Sequence, residues 1–343
     1  MQTFSTYMTP ATQKIFFCLL LALNFIFYHS AKAQLSSVQK KEFKKREDSL
    51  KTFSHNIVFG REAEDRFRAD SHFIKMLVRT LKLKNSFYYS FDSLQSISRL
   101  YAPDSTFRIF TWQLEKDAYT YFQHGAIQMR TEDGSLKLIP LHDESNYTSK
   151  PGDSVRTANN WIGAIYYRIV MKSYNGKKFY TLLGFDDFSI SSTKKWMEVL
   201  TFDNNGNPLF GGPYIYFKDD STGKHTYDRF NIEYKKEAAT TFNYDADMDM
   251  IVYDDLISET NEPDIKDTYV PDGDFQGFKW ENGKWMHVDK VFNQKLKDGE
   301  FPKDNMLLDD NGKVNEQKLL DQSQKNMQKK DSTNKKPVKK DNN

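Results

Sequence analysis

The chain has 343 residues, and 49 lysines and arginines against 47 aspartates and glutamates leave a formal charge of +2. So even a balance says little about partners, and the single cysteine excludes a disulfide framework. Aromatic residues make up 15 %, a composition that favours strands over helices.

Residues 1–33 read as a secretory leader. Lys14 is the only charge before an apolar run from Ile15 to Tyr28, and Ala31-Lys32-Ala33 supplies the small-x-small cleavage pattern. The run falls short of the roughly 20 residues that span a bilayer, so a cleaved leader fits better than an uncleaved anchor, and no transmembrane span is expected after cleavage. Cleavage places Gln34 first and removes Cys18 together with Lys14 and Lys32, which leaves 47 basic against 47 acidic residues. The expectation is a thiol-free periplasmic or secreted protein without a lipid anchor.

Residues 34–60 are dominated by charge. Val38, Phe43, Leu50 and Phe53 are sparse, which predicts a solvated helix or linker over 37–54. In the segment 61–105, Phe67, Ile74, Leu77, Val78 and Leu81 recur at helical spacing and predict a helix packed on the main domain. A shorter helical stretch is expected at Ser93–Tyr101, ahead of Pro103.

From 106 to 292 the period changes to two. Predicted strands are Phe107–Gln113, Tyr119–Arg130, Leu136–Leu141, Ile162–Tyr174, Lys178–Phe185, Trp196–Phe202, Tyr214–Lys218, Arg229–Tyr234, Thr240–Tyr244, Met250–Tyr253, Gln276–Glu281 and Lys284–Val291. Asn175-Gly176 and Asn282-Gly283 are two-residue hairpin turns. They set registers of Met171 with Tyr180, Ile169 with Leu182, Trp280 with Trp285 and Phe278 with His287. The expected fold is mainly β: an antiparallel meander forming a curved sheet, barrel or sandwich, preceded by a helical segment.

Residues 293–343 form a Lys/Asn/Gln-rich tail, with seven lysines and two aspartates from Gln322 onward. It is expected to be disordered. No aromatic residues interleave with those lysines, which argues against nucleic acid as a partner.

Several β segments, in order, resemble an uncharacterised family of secreted bacterial proteins. They are Phe107-Arg-Ile-Phe-Thr-Trp-Gln113, Tyr180-Thr-Leu-Leu-Gly-Phe-Asp186, Glu198-Val-Leu-Thr-Phe-Asp203, Asn207-Pro-Leu-Phe-Gly211, Met250-Ile-Val-Tyr-Asp254 and Gly277-Phe-Lys-Trp-Glu-Asn-Gly-Lys-Trp285. The resemblance spans residues 86–292. It implies export and a β-rich fold, and carries no activity or catalytic residue.

The chemistry-bearing candidates are sparse. Asp186, Asp254, Asp272 and Asp274 stand at strand ends, where a pair of carboxylates suits glycoside hydrolysis. Asp245, Asp247 and Asp249 alternate and would need a cation if they shared a strand face, but not in a turn. Asp203, Asn205 and Asn207 start like a calcium loop, but Pro208 and Tyr214 stand where an EF-hand needs Gly and Glu. Trp280 and Trp285 suit either a sugar-stacking platform or a hairpin core. No HExxH, Gly-x-Ser-x-Gly or P-loop pattern occurs, and no cofactor is implied. The leading expectation is a non-enzymatic binding protein of the cell envelope, with an envelope protein or glycan as partner. The alternative is a hydrolase of envelope glycan.

Overall fold

The computed structural model describes residues 35–117 and 120–292. The expected leader, with Cys18 in it, and the lysine-rich tail lie outside the described residues. Among the described residues no helix is long and apolar enough to cross a membrane.

Helix α1 (Ser37–Phe59) begins at a capping box. Ser36 Oγ accepts from Gln39 N at 3.2 Å, and Gln39 Oε1 accepts from Ser36 N at 3.0 Å. The helix-or-linker reading of 37–54 resolves to a helix, and its solvated character is corrected. Phe43, Leu50 and Ile57, seven apart, are all buried, and α1 packs along helix α2 (Ala63–Leu81). One apolar residue every two turns suffices when a second helix lies along that seam.

The apolar stripe of α2 is rotated from its predicted position. Phe73, Leu77 and Leu81 are buried, whereas Phe67 is 40 % exposed. Two charged residues turn inward instead, because each finds partners there. Arg66 donates to the carbonyls of Gly60, Arg61 and Glu115, and Asp70 accepts from Trp112 Nε1 at 2.8 Å.

Three sheets follow. The first is a meander of β1 (Ser98–Tyr101), β2 (Phe107–Asp117), β3 (Thr120–Met129) and β4 (Lys137–His142). The expected helical stretch at Ser93–Tyr101 is corrected, since Ser98–Tyr101 pairs with Arg108–Thr111 of β2. Ladder pairing overrides a weak local helical preference. Arg108 is fully buried and spans this sheet and its flank, donating to Gln128 Oε1, Tyr101 Oη and the Ser86 and Tyr89 carbonyls. Burial lowers its pKa to about 10.

The second sheet holds β5 (Arg156–Thr157), β6 (Ile165–Tyr174), β7 (Lys177–Asp186), β8 (Ser192–Phe202) and β9 (Pro208–Phe210). The third contains β10 (Ile215–Tyr216), β11 (Thr226–Tyr227), β13 (Phe242–Asp245), β14 (Met250–Ser258), β15 (Tyr269–Glu281) and β16 (Lys284–Val288). Strand β12 (Arg229–Lys235) pairs with β8. The fold is mainly β and its strand pairs are antiparallel except that β10 runs parallel to β16, Ile215 opposite Trp285; this pairing, β5 with β9 and β12 with β8 all depart from the predicted meander. None of the sheets closes into a barrel.

Period-two patterning explains the stacking. On β2, Phe110, Trp112 and Leu114 face the helices, while Phe107 and Ile109 face the second sheet. On β8, Trp196 and Leu200 face the first sheet, and Met197 and Val199 face the third. The helices and three sheets thus form successive layers, and the strands between them read as nearly continuous apolar runs because both faces are buried. Both worked hairpin registers hold, Met171 pairing with Tyr180 and Trp280 with Trp285. Their turns place Asn175, Gly176, Asn282 and Gly283 at positive φ, as a type I′ turn requires.

Candidate ligand cavity at Asp186

Where the first and second sheets diverge, a cavity of about 280 Å³ opens. β3 contributes Tyr121 and Gln123, and β8 contributes Lys194 and Trp196. Asp186, the last residue of β7, lies in the wall with Phe188 after it. The segment 145–151 after β4 completes the lining with Ser145, Asn146, Thr148 and Ser149.

Asp186 is 7 % exposed, and its Oδ1 accepts from Gln123 Nε2 at 2.9 Å and Phe188 N at 3.0 Å. Burial raises its pKa to about 6, opposed by the Phe188 amide and Lys194 and assisted by the charge of Asp143. Asp143 itself accepts from the amides of Gln123, Ser145 and Gly163 and from Ser145 Oγ, so its carboxylate is committed to holding the lining segment. Gln123 Oε1 and Trp196 Nε1 are buried wall atoms with no hydrogen-bond partner among the described residues. Such atoms cost stability where they stand, and they recur at sites built for something other than stability.

Below the cavity a buried chain of polar groups fixes its frame. Trp161 Nε1 donates to Tyr166 Oη at 2.7 Å, and Tyr166 Oη donates to Glu198 Oε1. Glu198 Oε2 accepts from Arg229 Nε at 2.6 Å. Arg229 then donates to the carbonyls of Pro151, Ser154 and Phe210, pinning the end of the lining segment to β8 and β12. Burial and the neighbouring Glu198 carboxylate push the Tyr166 phenol well above its usual range, so it stays a donor.

The structure separates the strand-end aspartates. Asp186 lines the cavity, whereas Asp254, 6 % exposed and bonded to Thr241 N, lines a different groove. Asp272 and Asp274 lie on an exposed, irregular stretch of β15: Asp272 Oδ1 accepts from Asp274 N at 2.8 Å, and Asp274 pairs with Lys290 at 3.0 Å. Asp245, Asp247 and Asp249 occupy the β13–β14 turn. Asp245 Oδ1 accepts from the amides of Asp247 and Met248, and Asp249 pairs with Lys172 and Tyr244. No cluster of metal-ligating side chains occurs among the described residues. Asp203 caps its own loop through Asn205 and Asn207.

The Trp280–Trp285 pair is not an open stacking platform. Trp285 is fully buried and donates to Thr181 Oγ1 at 2.7 Å, and Trp280 packs edge-on against it and beside Phe179. The residues that sequence reasoning missed are Tyr121, Gln123, Lys194, Trp196, Glu198 and Arg229. A signal existed for one: Glu198 interrupts the apolar run Trp196–Leu200 at a position flanked by buried residues. No protein-family model, curated protein or solved structure matches the chain.

Proposed function

We propose that the protein is an exported, non-enzymatic binding protein of the cell envelope, with a glycan as its ligand in the cavity at Asp186. The cavity is the observation that carries this reading. Its volume of about 280 Å³ suits a single sugar ring, and its lining joins aromatic surfaces of Tyr121, Phe188 and Trp196 to hydroxyl, amide, carboxyl and ammonium groups. Aromatic faces stack on the apolar face of a pyranose, and the polar groups bond its hydroxyls. Export is supported by the leader pattern of residues 15–33 and by the resemblance of residues 86–292 to secreted bacterial proteins.

The hydrolase reading has less support. Glycoside hydrolysis takes two carboxyl groups across one bond, and Asp186 is the one carboxyl among the cavity's lining residues. Asp143, beside it, is held by amide donors and does not line the space. Calorimetric titration of the purified protein with a panel of neutral, amino and acidic sugars tests the binding reading. At least one should bind saturably and lose about tenfold in affinity in both Asp186→Asn and Trp196→Leu. Failure of every sugar to bind, or binding unchanged in both variants, refutes it; release of reducing sugar from a glycan polymer would establish the hydrolase instead.

A further inference from the structure

A second surface, lined by a different set of residues, borders strand β12. Strand β12 pairs with β8 on one side, and its outer side carries no strand among the described residues. Two open grooves of about 560 and 320 Å³ run along that side and share Phe217, Phe230 and Asn231. Their lining takes consecutive β12 residues, from Arg229 to Glu233. A sheet face presents alternate residues; a run of consecutive ones means that the grooves follow the strand edge.

The ladder phase says what that edge offers. Lys236 N donates to Ser191 O, continuing the register in which Lys235 faces Ser192. Even-numbered residues of β12 therefore exchange bonds with β8, and Asn231 and Glu233 turn their N–H and C=O groups outward. Aromatic side chains of Phe217, Phe230, Tyr253 and Tyr269 wall the grooves beside these groups. Alternating amide donors and acceptors at strand spacing are matched by another strand, and not by a sugar or a nucleotide.

Charge selects among strands. Three of the groove's charged side chains are already spent: Asp153 on Lys224, Glu233 on Lys194 and Arg229 on Glu198. Among the described residues Asp219, Asp220, Asp255 and Asp289 remain without a lysine or arginine ion pair, against Lys150, Lys218 and Lys266, while Asp254 is buried and bonded to Thr241 N. His287 does not redress the balance, because burial lowers its pKa.

We infer that the β12 edge is a docking site for an extended, basic segment of a partner polypeptide, which adds to the second sheet as a further strand. Apolar side chains on one face of the segment enter the aromatic walls, and lysine or arginine side chains meet the carboxylates of Asp219, Asp220, Asp255 and Asp289. The seven residues of β12 set the length of the docked segment.

Fluorescence anisotropy with a labelled nine-residue peptide of alternating lysine and valine tests this on the full-length protein. The expected result is saturable binding that weakens about tenfold or more when alternate peptide amides are N-methylated, and likewise for a glutamate–valine peptide. Asn231→Pro removes one outward N–H and no bond to β8, so it should keep the wild-type melting temperature and lose the peptide. Asp219→Lys with Asp289→Lys, both on the groove rim, should weaken the lysine peptide and spare sugar binding. Equal binding of the N-methylated peptide, or of the acidic peptide, overturns the inference. So does a concentration-dependent dimer that the peptide fails to dissociate, which would assign the edge to a second copy of the chain.

Discussion

Replacing Asp186 by asparagine should make the protein more stable at neutral pH while impairing its binding cavity. The carboxyl is nearly buried, and its pKa rises from 3.8 in the unfolded chain to about 6 in the folded one. Between those values the folded state holds the proton more tightly than the unfolded state does. Stability therefore falls as pH rises through that window, and by pH 8 the whole cost of ionising a buried acid is present. At ~1.36 kcal/mol per pH unit the cost is about 3 kcal/mol. Asparagine keeps the Oδ1 acceptor for Gln123 and Phe188 and carries no charge, so it escapes that cost. Urea unfolding at pH 8 should show Asp186→Asn more stable by up to about 3 kcal/mol, or roughly 6–12 °C in Tm for a domain of this size. At pH 4 the gain should shrink below about 1 kcal/mol, because wild-type Asp186 is then protonated when folded. An equal gain at both pH values, or a loss at pH 8, would refute the argument. A stabilising substitution that weakens sugar binding is the pattern expected of a residue kept for function.

Other substitutions separate frame from cavity. Arg229→Ala leaves the buried Glu198 side chain without its ion-pair partner and should cost about 3–5 kcal/mol in urea unfolding, whereas Glu198→Met with Arg229→Met should cost clearly less. Trp285→Ala empties a fully buried site and strands Thr181 Oγ1, for about 3–5 kcal/mol, while Trp280→Ala, partly exposed, should cost less and leave sugar binding unchanged in calorimetry. Millimolar calcium should shift Tm by less than about 1 °C, because the β13–β14 aspartates already bond to backbone amides and Lys172. Leu50→Ala should lower Tm, at a cost of about 2–5 kcal/mol, as expected for a buried seam residue and not for one in a solvated linker.

Sequence period carried most of the strands, because side chains alternating on a strand meet chemically different layers. Turn chemistry carried register: Asn175-Gly176 and Asn282-Gly283 each admit one two-residue hairpin. What escaped were decisions made by tertiary partners. Ser98–Tyr101 is a strand because β2 lies beside it, and Arg66 and Asp70 turn inward because β2 carries Glu115 and Trp112. The cavity was legible only through Asp186, a carboxylate at a strand end. Its other walls come from β3, β8 and the segment after β4, and their convergence depends on sheet stacking that no local pattern encodes. The Trp280–Trp285 register was correct, yet its burial depended on the second sheet lying across that hairpin.

The parallel pairing of β10 with β16 has a consequence in time. The first sheet joins neighbours in sequence, so a chain appearing from its N-terminus can assemble it early. The third sheet cannot close in that way, because Ile215 waits for Trp285, 70 positions later. Until that strand arrives, Met197 and Val199 on the back of β8 lack part of their cover. The intermediate most prone to aggregate is therefore the chain that still lacks β16, and holding it until that strand is free is the step on which a successful yield turns.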